Sequence, residues 1–344
     1  MKRLYLLFLL FLFSVLQAAA QTQKPEDFGY RHLQISFLKD PVDILILSKK
    51  DEEQKAKPVI LFDQGSQARP LILLDTEGKP YRVFPFQTDS LLVNFHLAII
   101  SKPFVPLIAY QKDLKNGAYA DPKTGIPPAQ FYSRDNVDYY VNRAQAVIKH
   151  LKKQQWVKKD KLIAAGHSAG STVAAKLALE SKDVTHLIYS GGNPFGRMAT
   201  MVAQARAYDD STGTRSEEMF RYWENIVSDP TSVASQGGDA YKTTYDFSIP
   251  PIDYLMKFKI PVLISYGTKD YGVTFNDYLW LETIRKGKSN FTFKPYIGVE
   301  HNYFGFDKEG KIDYGKFGWD QVANDWNNWL TKEADVHSVK PIVP

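Results

Sequence analysis

The stretch that decides the fold is KLIAAGHSAGSTVAAKLALE, residues 161–180. Leu162 to Ala165 make a short apolar run that fits a buried strand. From Ser171 onward, Val173, Ala174, Leu177 and Leu179 sit among good helix formers, so a helix follows. Only a few residues separate the two. A chain that reverses from strand to helix so quickly forces one residue into an unfavourable backbone conformation. Its neighbours have to be small, because strand and helix pass close by. Gly166 and Gly170 flank Ser168 in the pattern Gly-x-Ser-x-Gly, the sequence form of a sharp turn that holds a serine hydroxyl above a sheet edge.

A serine hydroxyl is a poor nucleophile until a base takes its proton, and the base must be held by a third group. The chain has seven histidines. His32, His96 and His150 precede the turn, His186 lies inside a strand-like run, and His337 sits in a polar tail. His167 adjoins Ser168, where the strained turn points neighbouring side chains apart. His301 follows the apolar run KPYIGVE and precedes NYFGF, which places it in a loop past the last strand, at the edge where Ser168 also sits. The acid should leave another strand at the same edge. IPVLISYGTKDYGV supplies Asp270, three residues after Gly267. Glu300 would have to fold back on its neighbour, and Asp277 falls inside a helical pattern that starts near Phe275. A developing oxyanion needs donors. One is expected from the backbone N–H of Ala169. The other is expected from LFDQGSQARP (61–70), with the N–H of Ser66 first and Gln67 second.

Strand-like runs recur at 33–38, 42–48, 58–62, 95–101, 161–166, 184–190, 260–267 and 290–298. Helical patterns lie between the later ones, at Val137–Gln155, Ser171–Leu179, Phe275–Lys286 and Trp319–Leu330. Strands alternating with helices imply a mostly parallel sheet covered on both faces, in the α/β class. A short connection around Lys39-Asp40-Pro41 suits an antiparallel start. LILLDTEGKPYRVF reads as a hairpin with its turn near Glu77-Gly78.

The segment between Ser190 and Ile260 is far too long for a simple loop. PFGRMATMVAQARAYDD and SEEMFRYWENIVSD within it look helical and amphipathic, so residues 192–258 read as a cap inserted over the sheet. Its Phe195, Phe220 and Trp223, with several methionines and tyrosines, are expected to wall the substrate pocket and to favour neutral acyl groups.

Residues 1–20 have the form of a secretory signal: Lys2 and Arg3, an apolar run from Leu4 to Leu16, then Ala18-Ala19-Ala20. That run is too short for a membrane span. The reading is an exported, periplasmic or secreted protein whose mature part, 21–344, is one large domain with its cap and no membrane span. The chain carries 43 basic and 38 acidic residues; without Lys2 and Arg3 the balance is +3. KHLKKQQWVKKDK (149–161) is the one dense basic cluster, and it reads as a solvated helix face rather than a nucleic-acid site. Cysteine is absent, so no disulfide and no cysteine-linked lipid is possible. No histidine pair has metal-ligand spacing on one helix.

With GHSAG, PVLISYGTKD and VEHNYFG in this order, each after a strand, the chain resembles the α/β-hydrolase superfamily from about Leu33 to Leu330. The resemblance implies an eight-stranded sheet whose second strand is antiparallel, and an esterase, lipase, thioesterase or peptidase without cofactor. Many relatives carry His-Gly after the third strand, where this chain has Asp63-Gln64-Gly65-Ser66. The first functional reading is an exported serine hydrolase of carboxylic esters, with Ser168 as nucleophile, His301 as base and Asp270 orienting it. The alternatives are a serine peptidase or thioesterase of the same fold, acting on a small molecule or short peptide, and a non-catalytic binding protein built on it.

Overall fold

The computed structural model describes residues 23–235 and 238–332. The signal-like segment and His337 lie outside them.

β1 (Arg31–Phe37) turns through Leu38 and Lys39 into β2 (Asp40–Leu47). Both turn residues have positive φ, the two-residue geometry that matches strand twist in an antiparallel hairpin. Six further strands complete an eight-stranded sheet among the described residues. They are β3 (Lys57–Asp63), β4 (His96–Ile100), β5 (Val157–His167), β6 (His186–Ser190), β7 (Val262–Gly267) and β8 (Phe291–Tyr296). The spatial order is β1-β2-β4-β3-β5-β6-β7-β8. β2 runs antiparallel to both its neighbours, and every pairing from β4 to β8 is parallel.

Parallel strands are buried on both faces, which is why these runs read as continuous apolar stretches. Along β5, Leu162 and Ala164 join one core while Ile163 and Ala165 join the other. The first core takes α1 (Val137–Leu151), α2 (Ala169–Glu180) and the inner side of α6 (Val273–Arg285). α1 begins where the Asn136 side chain accepts the Tyr139 N–H at 2.9 Å, a side-chain cap. The second core takes α7 (Trp319–Lys332), whose Trp319, Val322, Ala323, Trp326 and Leu330 fall on one helical stripe. Between β6 and β7 the long connection carries α3 (Arg197–Ala207), α4 (Thr214–Ser228) and α5 (Tyr241–Ser248).

Two local expectations need correction. Residues 72–80 do not form a full hairpin: Ile72–Leu74 pairs in parallel with Ile108–Tyr110, and a single antiparallel bridge joins Leu74 to Pro80. The basic cluster at 149–161 is not one helix face. α1 ends at Leu151, Trp156 is buried, and β5 starts at Val157, with Lys158 and Lys159 exposed on the strand. A hairpin absent from the sequence reading, Phe304–Phe306 against Ile312–Phe317, follows the loop of His301.

Candidate active site

Ser168 stands between β5 and α2 with φ 58° and ψ −125°, a backbone state that non-glycine residues adopt only when the surroundings enforce it. Its N–H donates to Ser190 O at 2.9 Å, at the end of β6. Its carbonyl accepts the Ser171 N–H at 3.0 Å and the Ser171 hydroxyl at 2.6 Å. The two glycines answer to packing. A Cβ on Gly166 would lie 2.0 Å from Gly170 O, and one on Gly170 would lie 2.1 Å from Asp63 O. Strand β5, helix α2 and the end of β3 touch backbone to backbone here, and no larger residue fits.

Asp270 and His301 meet beside this turn. His301 Nδ1 and Asp270 Oδ2 are 2.6 Å apart, and the other carboxylate oxygen accepts the Gly272 N–H at 2.9 Å. Asp270 is buried and His301 is partly open. Burial pushes the Asp270 carboxyl up, but the hydrogen bond and charge of His301, with the Gly272 N–H, hold it below the ordinary value. Burial likewise works to lower His301; the hydrogen bond and charge of Asp270, with Glu300 nearby, outweigh it and raise the imidazole above its usual value. Glu300 itself turns to its own loop, accepting the Asn302 and Phe304 N–H groups at 2.7 and 3.0 Å. Asp277 accepts the Tyr266 hydroxyl at 2.8 Å, away from His301.

Ser168, His301 and Ser66 all line two cavities, of about 510 and 440 Å³, that meet at the serine. Gly65 brings the loop after β3 against Ser168: a Cβ there would lie 3.9 Å from Ser168 Cβ. Ala169 opens α2, so its N–H has no partner inside the helix. Gln67 lines the larger cavity, but its side chain packs on Gly117. Beneath the loop, burial pushes the Asp63 carboxyl up to about 7 while Lys102 and Arg143 pull it down.

The expected substrate wall is wrong in its residues. Phe195 packs on Phe275 and Tyr278, with ring centroids 5.6 Å away in each case. Trp223 stacks on Tyr245, and Phe220 is 47% exposed. None of the three lines either cavity. The reason is register: α3, not α4, faces the serine. Arg197, Thr200, Met201 and Gln204 recur three and four residues apart along one side of α3 and line the 440 Å³ cavity, with Tyr208 just past the end of the helix. Charge is present too, in Arg197 on this side and in Arg69 and Arg82 on the other, against the expectation of a neutral pocket.

Sequence reasoning also missed the support behind His301. The His167 ring lies 4.9 Å from the His301 ring, and its Nδ1 is 3.1 Å from the Ser190 hydroxyl. Ser190 in turn meets the buried Tyr303 hydroxyl at 2.7 Å, which donates to Ser265 O at 3.0 Å. Burial, then the nearby His301 charge, lowers His167 to about 3, so it stays neutral near pH 7 and is a much weaker base than His301. Among the described residues no cluster of three or more metal-ligating side chains occurs, and no helix is long and apolar enough to cross a membrane.

Strand order, the antiparallel second strand and the serine turn after the fifth strand define the α/β-hydrolase fold. Solved structures with the same fold agree. The acylaminoacyl peptidase of Pyrococcus horikoshii matches 91% of this chain with a TM-score of 0.54 at 11% identity, and this chain spans 43% of that one. Est1E from Butyrivibrio proteoclasticus, bound to ferulic acid, matches 88% of this chain and 99% of its own, with a TM-score of 0.54 at 15% identity. A fungal esterase from Rhizomucor miehei matches 93% and 94%, with a TM-score of 0.53 at 12% identity. No protein-family model and no curated protein matches the sequence.

Proposed function

We propose that this protein is an exported serine hydrolase that cleaves a carboxylic ester through an acyl-enzyme. The observation that carries the reading is the 2.6 Å His301–Asp270 contact beside a serine held at positive φ in a shared cavity. With Nδ1 given to Asp270, Nε2 of His301 is the nitrogen left to take the serine proton. Ser168 Oγ attacks the carbonyl carbon as its proton passes to His301. The N–H groups of Ala169 and Ser66 stabilise the oxyanion. The leaving alcohol takes the proton from His301 as the acyl–oxygen bond breaks. Water then repeats the sequence, releasing the acid and restoring Ser168.

An ester fits the lining better than a peptide with a free amino terminus. Such a peptide needs a fixed carboxylate to hold its ammonium; Glu217, Glu218 and Glu224 of α4 are exposed and line neither cavity, and Glu300, which does line the 440 Å³ cavity, is engaged by the Asn302 and Phe304 N–H groups of its own loop. The signal-like segment at 1–20 supports export. A fluorophosphonate probe should label Ser168, and Ser168→Ala should abolish labelling and lower ester turnover by about 10⁴-fold. Full activity in purified Ser168→Ala protein would overturn the proposal.

A further inference from the structure

The 510 Å³ cavity lies on the side of Ser168 away from α3, and its walls mix two chemistries. Phe62, Leu71, Val83 and Trp319 make an apolar interior, and Arg69 and Arg82 add two cations. No aspartate or glutamate lines it. The cations around the serine differ in how far they are neutralised. On the α3 side, Arg197 is paired with Asp239 at 2.5 Å. Lys102 is buried and feels Asp135 and Asp63. The Arg69 side chain has no ion pair or hydrogen bond among the described residues, and its backbone is tied to the serine-facing loop, Arg69 N–H to Gln67 O at 2.8 Å. Arg82 has one long contact, 3.7 Å to Asp320, with both side chains more than a third exposed. Asp320 also accepts the Gln87 N–H at 2.7 Å.

A cleft with low-dielectric walls and cations of one sign concentrates anions. Two exposed arginines lining a cavity whose other walls are largely apolar match one ligand shape in particular: an apolar body that ends in a carboxylate, which a guanidinium can hold bidentately. We infer that this arm of the cleft receives a carboxylate-bearing apolar group of the substrate, with Arg69 and Arg82 as its specificity residues. The inference rests on the ester hydrolysis proposed above and names the substrate class for it.

The test uses two matched pairs of esters. p-Nitrophenyl hexanoate and the p-nitrophenyl monoester of adipic acid differ by a carboxylate on the acyl arm. Phenyl acetate and 4-carboxyphenyl acetate differ by one on the leaving group. The measured quantity is the ratio of kcat/KM, charged over neutral, in the wild type and in Arg69→Gln/Arg82→Gln. In whichever pair places its carboxylate in this arm, the ratio should fall about tenfold, mainly through KM. Arg69→Lys should restore part of it, and high salt should weaken the wild-type preference. Ratios that stay the same in both pairs, including an equal loss on charged and neutral esters, overturn the inference. Fluorophosphonate labelling separates the two failures. Unmoved ratios with Ser168 labelled sink this inference alone, whereas an unlabelled Ser168 with no turnover sinks the hydrolase reading and this one with it.

Discussion

His301 has to be neutral before it can accept a proton, and its surroundings resist that. Burial favours the neutral ring, but the Asp270 contact outweighs it and lifts the imidazole above its ordinary value near 6.5. The acid limb of kcat/KM is therefore expected above that value. Asp270→Asn removes the charge and puts an amide, with a donor as well as an acceptor, opposite Nδ1, so its limb should move down while kcat falls by about 10³–10⁴-fold. A pH–rate profile of both proteins checks this, and an unmoved limb would assign it to another group. At this scale the sequence was informative where chemistry coincided with local pattern. Ser168, Asp270 and His301 each follow an apolar run, so their edge of the sheet could be read. The ring of His167 against His301 could not, because that contact depends on how two loops pack.

Among the elements, strands were the most legible, because burial on both faces leaves unbroken apolar runs. The hairpin after His301 was passed over: its strands are short and mixed in polarity, although Asp307-Lys308-Glu309-Gly310 is a turn signal. Two of the inserted helices, α3 and α4, were found and α5 was not, nor was it legible which of them faces the serine. Amphipathicity gives a helix an inner side without saying what that side meets. Met201 on α3 reaches the cavity, and Trp223 on α4 packs on Tyr245. Met201→Ala should therefore shift preference toward longer acyl chains by about tenfold in the kcat/KM ratio. Trp223→Ala should lower stability by about 1–3 kcal/mol and leave that ratio in place. An ester chain-length panel with urea titrations separates the two; a shift in the Trp223 variant would return α4 to the pocket wall.

For the whole molecule, burial lowers three histidines below their ordinary value: His96, His167 and His186. His167 is lowered to about 3 and His186 to about 4, in both cases chiefly by burial. The unfolded chain binds protons at these sites near pH 6.5 while the folded chain does not, so the stability these sites contribute falls as pH drops from about 6.5 toward 4. His301 acts in the opposite sense: its raised value contributes stability that is full below about 6.5 and lost as pH rises through its folded value. Asp63, pushed up to about 7 by burial, also opposes them, because the folded chain takes up its proton before the unfolded chain does as pH falls below about 7. His167→Asn removes one acid-labile group, so its urea midpoint at about pH 4.5, taken relative to neutral pH, should be higher than that of the wild type. An unchanged relative midpoint in that variant would mean that His167 is protonated in the folded protein. The two cavities that meet at Ser168 have a consequence for product identity. Once the first alcohol departs, its chamber stands open beside the acylated serine, and another alcohol can seat there and compete with water. On the proposed chemistry the protein is then a transferase as well as a hydrolase. With an added primary alcohol, the share of new ester among the products should exceed the alcohol's mole fraction in the solvent. A share that merely follows the mole fraction would mean the emptied chamber gives an acceptor no seat.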